Sequence, residues 1–366
     1  MLPSRNTLIL GLTSAMPTFF SASWMFFLPI IFKQIGYSII TIGIFYGTST
    51  VLSSILSVFA GRLVLKIGPK RGIIIGGVIR SISILMIYTF SPILVPSGFI
   101  IDLGIGYPLS NVSRQYLIMK DEENKQATNV GWFMTIAGLP AIFSPILGAL
   151  TEINKILILL TAITTLIATV VRALILTERK VNETFSINFS TIFSPIIFTL
   201  FSLLVTINSF IIPIFSQQVI GLTLSEVGIL YSIRILGENL LAFYFGHLSD
   251  RLGVMKIFTI AVITESVSML LFSISHGILS ILTFLLWSLT ASMTIPSSQA
   301  LFYQMNKNNY ISAYSLFLLV SGILSLPANF LVGLLFNINS YLPFIVQSIG
   351  NLIGLVIIIS KFNNRC

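Results

Sequence analysis

Residues 245–256 read FGHLSDRLGVMK and lie between two long apolar segments. Gly246 allows two helix ends to approach closely, and Gly253 allows the chain to turn. Two basic residues keep the loop on the membrane face that attracts positive charge. Asp250 can meet the positively charged N-terminal end of a neighbouring helix. The pattern therefore predicts a tight turn between two membrane helices.

The composition agrees with a membrane protein. Charged residues make up 8% of the 366 residues, against roughly 25% in ordinary soluble domains. Apolar residues reach 55%, and the mean hydropathy is +0.99. A water-soluble globule, a disordered chain and a nucleic-acid-binding protein are thereby excluded. The single cysteine, Cys366, excludes an intramolecular disulfide and a cysteine-based metal site.

Twelve segments are long and apolar enough to cross a bilayer, which takes about 20 residues for a helix. The first follows Arg5 directly; it is too long for a signal-peptide core and is expected to be retained. An all-α membrane protein without a soluble domain is predicted. Spans 1 to 6 lie near residues 7–32, 39–63, 72–90, 93–113, 127–150 and 155–176, and spans 7 to 12 near 193–216, 226–248, 254–275, 278–301, 311–336 and 340–360.

The distribution of Lys and Arg predicts the orientation. With both termini in the cytoplasm, 15 of these residues lie in inner loops and 2, Lys33 and Lys155, in outer loops. The role of the positive charge is therefore to set the membrane topology and to attract lipid headgroups, rather than to bind nucleic acid. We expect a multi-pass protein of the plasma membrane with cytoplasmic N- and C-termini.

The chain contains an internal duplication. Shifting it by 185 residues aligns residues 36–83 with 221–268, and this gap-free stretch of 48 positions holds 11 identities, among them four glycines and a tyrosine. Each half has six spans, so both halves run in the same direction through the membrane. The predicted domains are two six-helix bundles, residues 1–176 and 193–366, joined by a cytoplasmic linker at 177–192.

In span count, repeat and loop motif, G-x-L-S-D-R-x-G-x-x-K, the chain resembles the major facilitator superfamily. A degraded first copy of the motif begins at Gly61, with Leu65 in place of the aspartate. The resemblance implies two pseudo-symmetric bundles that rock about a central site, with spans 1, 4, 7 and 10 around the cavity and 3, 6, 9 and 12 at the periphery. It also implies a conformational gating motif comprising Gly61, Gly68, Gly246, Asp250, Arg251 and Gly253.

Within that superfamily the chain is most similar to 12-span drug and metabolite antiporters, although their patterns are degraded. Residues 140–149 resemble the antiporter run in span 5, but only Pro145 and Gly148 match. Ile100 stands where the antiporter pattern of span 4 has arginine. Packing of small residues is the simpler explanation of the span 5 run.

Five ionisable residues lie at membrane depth, where each costs about 2.5–3.5 kcal/mol to insert. They are Arg80, Asp102, Arg234, Glu238 and Glu265. Three interpretations of Asp102 remain open: a proton carrier, a buried partner of Arg80, or a hydrogen-bonded structural acid. Arg234 and Glu238 share a helix face and form either a self-neutralising pair or a gate or substrate contact.

The remaining candidates are less specific. Arg80 and Glu265 align at the repeat offset and are expected to support neighbouring helices at the periphery. Two further arginines near helix ends are expected to extend their charge to the membrane surface; these are Arg114 and Arg172. Asn208, Trp24 and Trp287 complete the substrate and proton-coupling candidates, although a membrane tryptophan more often serves packing.

These features predict a secondary active transporter of a small organic solute, with proton-coupled efflux of a drug or metabolite as the preferred activity. Its partners would be the solute, protons and the lipid bilayer, with no nucleic acid, and it would act as a monomer. No metal-ligand cluster, phosphate cradle or catalytic triad is present in the sequence, so no enzyme activity, metal or cofactor is expected. Alternatives are an importer of a nutrient, sugar or organic anion, with Arg234 or Arg80 as counter-charge, or a non-transporting receptor.

Overall fold

The computed structural model describes residues 2–25, 28, 31–32, 35–37, 39–121, 124–151, 154–177, 196–198, 212, 215–216 and 219–363. Within these ranges the regular structure is helical throughout, with no strand. Most of span 7, near 193–216, and nearly all of the linker expected at 177–192 lie outside the described residues.

The helices of the first half follow the predicted spans closely. Span 4 extends furthest beyond its predicted end, to Asp121, because residues 115–119 are buried inside the protein and Arg114, Lys120 and Asp121 are only half-exposed, so the polar residues do not end the helix. The helices run Arg5–Met25; Ile39–Ile67; Pro69–Tyr88; Leu94–Ile101, a π-helical turn at Asp102–Gly106 and Tyr107–Asp121; Gln126–Gly138, a 3-10 turn at Leu139–Phe143 and Ser144–Leu150; and Lys155–Ile175.

The second half has the same pattern of long helices. Span 8 is interrupted by a single residue, Leu241, and comprises Leu224–Leu240 and Ala242–Leu252. Spans 9 to 12 are Val254–Ile274, Ile278–Met305, Tyr310–Ile338 and Leu342–Asn363. By length and composition, eight of the described helices could cross a membrane.

Two pairs of glycines that align in the internal repeat also have the same backbone conformation. Gly68 and Gly253, which align at the repeat offset, have φ of 90° and 102° and each precedes a helix. Gly36 and Gly221, also 185 residues apart, have φ of 104° and 84°. A side chain at these angles would be strained. The glycines that align in the sequence therefore make the same turns in the two halves.

The two halves share one apolar core at a single end of the molecule. We call this end the motif face; it carries residues 61–71 and 246–256. Buried side chains of both halves meet there, including Val64, Leu117 and Ile311. Two other cores lie within one half each, one around Phe32 in the first half and one around Phe272 in the second. Hydrophobic packing therefore joins the halves at the motif face.

Among the described helices, the most extensive packing between the halves is that of span 2 on span 11 and of span 5 on span 8, and we call these two contacts the seams. In the first seam, the Ser57 hydroxyl donates to the carbonyl of Ser315 over 2.9 Å. In the second, Thr135 donates to the carbonyl of Asn239 over 2.8 Å. Any movement of one half against the other has to break or slide these contacts.

Candidate functional site

A cavity of about 90 Å³ in the first half is lined by three arginines; we call it the arginine cavity. It lies between spans 1, 3, 4 and 6 and includes two of the residues that the sequence placed near helix ends. Its lining includes Ser14, Thr18, Arg80, Tyr107, Asn111, Arg114, Thr165 and Arg172. A cavity of this volume accommodates the charged end of a small solute.

Arg80 is paired with Asp102. Nε of Arg80 lies 2.8 Å from Oδ1 of Asp102, whose side chain is almost fully buried. Asp102 begins the π-helical turn of span 4, a local distortion that is frequent at functional sites. The turn also brings Gly106 against the stem of Arg80, where a larger residue would overlap the side chain. Asp102 is thus not the isolated carboxylate that the proton-carrier interpretation assumed, and its role in transport stays a prediction.

The expectation that Arg114 and Arg172 extend to the membrane surface is wrong. Arg172 donates to the hydroxyls of Thr13 and Ser14 on span 1, over 2.8 and 2.7 Å. Arg114 donates to Asn111 over 2.6 Å. Arg172 faces inward because span 1 offers hydroxyl groups to it, and Arg114 because Asn111 of span 4 accepts its hydrogen bond. The sequence hinted at this only through the short polar residues of span 1.

The Arg114 guanidinium also stacks on an aromatic ring. Its Cζ lies 4.8 Å from the centre of the Phe133 ring on span 5. The group is therefore held in position by Asn111 and Phe133, and its Nε is buried without a hydrogen-bond partner among the described residues.

The second half contains a cavity of about 100 Å³ with the opposite balance of charge; we call it the glutamate cavity. Arg234 and Glu238 form an ion pair of 2.6 Å. Glu265, which is 4% exposed, accepts a 2.7 Å hydrogen bond from Thr294. The lining comprises Ile212, Arg234, Glu238, Glu265, Phe284, Trp287, Ser288, Ala291, Thr294 and Ile295.

Arg80 and Glu265 were expected to support neighbouring helices at the periphery, but each lines a cavity. The reason is that the cavities extend behind spans 4 and 10 and reach spans 3 and 9. The repeat positions are therefore equivalent in location and opposite in charge: a cation in the first half, a carboxylate in the second.

The two tryptophan candidates lie in different surroundings, one at a cavity and one in an apolar core. Trp287 lines the glutamate cavity. Trp24 is buried in the apolar core of the first half, and its Nε1 donates to Thr161 over 2.8 Å, so its observed contacts are those of packing. Asn208 lies outside the described residues. Within the described part of the chain, no group of three His, Cys, Asp or Glu side chains is placed to hold a metal ion.

Asp250 caps the helix of span 5. The backbone N–H groups of Ala127 and Thr128 donate to its two carboxylate oxygens over 3.1 and 2.7 Å. These are donors of the first helical turn, which the helix cannot satisfy by itself. Burial raises the pKa of the Asp250 carboxyl above its ordinary value, and the hydrogen bonds from Thr128 and Ala127 offset only part of this rise. This is the type of contact that the loop sequence predicted.

Two glycines of the motif, Gly61 and Gly246, lie at close approaches between the halves. A side chain at Gly246 would overlap the carbonyl of Ala127, and one at Gly61 would overlap Ser315. Arg251 is exposed at the end of its helix. The gating role of these residues, with Gly68 and Gly253 at the turns, stays a prediction.

The degraded first copy of the motif makes a different contact. Leu65, in place of the aspartate, packs against the apolar core shared by the halves. The helix of span 11 begins after Asn309 without a side-chain cap. Nearby, Lys120 donates to the carbonyl of Lys307 over 2.9 Å and lies 5.4 Å from the Tyr303 ring centre. At the motif face, a carboxylate thus caps a helix in the second seam, whereas a leucine packs at the equivalent position of the first.

A family model described as the Major Facilitator Superfamily matches two successive segments of the chain, residues 7–205 and 196–364. The chain belongs to the Major Facilitator Superfamily. As predicted, it is an all-α, multi-pass membrane protein with the fold of two pseudo-symmetric six-helix bundles. Members of this superfamily are transporters, and the chain has the transporter fold.

Solved structures of the superfamily share this fold. The human organic anion transporter MFSD10 (TETRAN) is 13% identical, with a TM-score of 0.78 over 98% of this chain and 100% of that one. A bacterial homologue of the iron transporter ferroportin, in an outward-facing state with soaked iron, is 14% identical, with a TM-score of 0.77 over 97% and 98%. The E. coli fucose:proton symporter FucP is 12% identical, with a TM-score of 0.70 over 96% and 97%. No curated protein sequence matches the chain.

Proposed function

We propose that this superfamily member is a proton-coupled secondary transporter of a small organic solute. It works by alternating access as a monomer in the plasma membrane, with the motif face and both termini in the cytoplasm. Export of a drug or metabolite is the preferred direction. The motif face would open and close by rupture of the Asp250 cap and sliding of the two seams.

The observation that carries proton coupling is the composition of the glutamate cavity. Two carboxylates, Glu238 and Glu265, share one cation, Arg234, which already pairs with Glu238. Glu265 is hydrogen-bonded by two neutral donors of span 10, the Thr294 hydroxyl at 2.7 Å and the Trp287 side chain, and not by a cation. A buried carboxylate without its own cation is suited to alternate between a protonated and a charged form. We therefore assign the proton-coupling role to Glu265 rather than to Asp102.

The test is transport by the purified protein in liposomes that contain a pH-sensitive dye. Solutes are first selected from a panel by thermal stabilisation, since a ligand at 100 times its dissociation constant stabilises by about 2.7 kcal/mol. We expect saturable exchange of the solute and solute-dependent proton movement. In Glu265→Gln, solute exchange should persist while proton movement disappears.

Glu226→Gln is the matched control, because Glu226 is exposed in the first turn of span 8 and caps its own helix with Thr223. It should retain both activities. Unchanged proton movement in Glu265→Gln would refute the coupling role. Unsaturable conductance would indicate a channel, and binding without flux would indicate a receptor.

A second candidate function is uptake or exchange of an organic anion. The arginine cavity favours it, because an anion is the solute that three inward-facing guanidinium groups would attract.

A further inference from the structure

The arginine cavity has an excess of positive charge. Arg80, Arg114 and Arg172 line it. Among the described residues, Asp102 is the only carboxylate that pairs with any of the three, and it pairs with Arg80. The other two guanidinium groups bond to hydroxyl and amide oxygens, which leave their charge uncompensated. Uncompensated charge inside a membrane protein is expensive. Such an excess points to a negative ligand that completes the site.

The chemistry of the side chains specifies the ligand further. A guanidinium presents a planar fork of donors that matches the oxygens of a carboxylate or a phosphate. The buried Nε of Arg114 has no hydrogen-bond partner among the described residues, so the hydrogen bonding of this guanidinium is incomplete. The hydroxyls of Ser110 and Thr165 also line the cavity, although both donate to backbone carbonyls. The volume of about 90 Å³ suits a headgroup, not a whole drug-sized molecule.

We propose that the arginine cavity binds the anionic headgroup, a carboxylate or a phosphate, of the transported solute. This rests on the proposed function and defines its substrate class. Arg114 and Arg172 are the residues that hold the headgroup, and Arg80 is kept in place by Asp102. The two halves of the internal duplication then have different roles: the first half binds an anion, and the second half carries the proton at Glu265.

A chain of hydrogen bonds connects this site to the other half of the protein. Arg114 donates to Oδ1 of Asn111, and Nδ2 of Asn111 donates to the Tyr314 hydroxyl of span 11 over 3.2 Å. A headgroup that draws Arg114 toward itself therefore pulls on a contact between the halves. Binding in the first half is thereby coupled to the arrangement of the seam.

Binding is tested with the full-length protein in detergent, by thermal unfolding with benzoate and with inorganic phosphate. Benzyl alcohol, benzylamine and sodium chloride at equal ionic strength are the comparisons. We expect saturable stabilisation by benzoate or phosphate and none by the neutral and cationic analogues. Which anion stabilises more tells a carboxylate solute from a phosphorylated one. If neither exceeds sodium chloride, the inference is overturned.

Variants locate the binding. Arg114→Gln should weaken the apparent affinity by about tenfold or more, the loss expected for a charge-assisted hydrogen bond. Arg114→Lys keeps the charge without the fork and should give an intermediate affinity, which serves as the test if the glutamine variant fails to fold. Arg71→Gln, an exposed residue of the motif face, should bind as the unmodified protein does.

Equal anion affinity in Arg114→Gln and in the unmodified protein would overturn the assignment of the site. This outcome is distinct from failure of the proposed function. Proton-coupled exchange of an uncharged solute, abolished in Glu265→Gln, would leave the transporter proposal intact while refuting an anion site.

Discussion

Nε of Arg80 lies 2.8 Å from Oδ1 of Asp102, and this ion pair ties span 3 to the π-helical turn of span 4. The pairing requires Gly106, because a side chain there would occupy the space of the Arg80 stem. It leaves the neighbouring arginines of the cavity without a carboxylate of their own. The pair therefore determines both the local backbone and the charge of the cavity.

Removal of one partner of this pair should destabilise the protein more than removal of both. Breaking a buried ion pair costs about 3–5 kcal/mol, because the remaining charge loses its counter-ion. We expect Asp102→Asn to lower the melting temperature in detergent, and Arg80→Gln combined with Asp102→Asn to recover part of the loss. Additive losses in this double-mutant cycle would show that the pair contributes no coupling energy.

Neutralising Asp250 should weaken the closed motif face. The carboxylate compensates two N–H groups at the positive end of the span 5 helix, and such a charge contributes about 0.3–1 kcal/mol. Asp250→Asn should therefore increase the population that is open at the motif face. The measurement is the distance between spin labels at Lys66→Cys and Lys256→Cys, both exposed positions, in a Cys366→Ser background. Glu226→Gln should leave the distance distribution unchanged.

A methyl group at Gly246 should also open the motif face. It would overlap the carbonyl of Ala127, which is backbone and cannot rotate away. Gly246→Ala should lengthen the same label distance and lower the exchange rate of the solute. Gly47→Ala, also within a helix but with open space around its Cα, is the matched control. The close approach is not required if both alanine variants behave alike.

Tyr314→Phe should uncouple anion binding from the seam. The substitution removes the 3.2 Å hydrogen bond from Asn111, whose net contribution is about 1 kcal/mol, and it keeps the ring in its stack with Tyr310. We expect the variant to bind benzoate or phosphate as the unmodified protein does, with a smaller anion-dependent change of the label distance. Tyr88→Phe, at an exposed position, should keep the full change. A full anion-dependent change in Tyr314→Phe would contradict the coupling route.

The sequence by itself determined the class of protein and much of its architecture. Apolar segments of about 20 residues have one stable arrangement in lipid, the helix, because every backbone group has to be satisfied within the segment. The glycines of the repeat predicted tight turns, and Gly68 and Gly253 make the same turn. The aspartate of the loop predicted a contact with a helix N-terminus, which Asp250 makes with span 5.

The tertiary structure decided which of the membrane charges meet. Position along a helix gives the depth of a residue, so Asp102 and Glu265 could be identified as buried from the sequence. The rotation of each helix about its axis, and the neighbour that faces it, depend on packing between segments far apart in the chain. Depth alone placed Arg114 and Arg172 near the membrane surface. Hydroxyls of span 1 and an amide of span 4 hold them instead inside the first half. Hydrogen bonds in a low-dielectric interior are strong, and here they stabilise the inward position more than contact with the nearby lipid headgroups would stabilise an outward one.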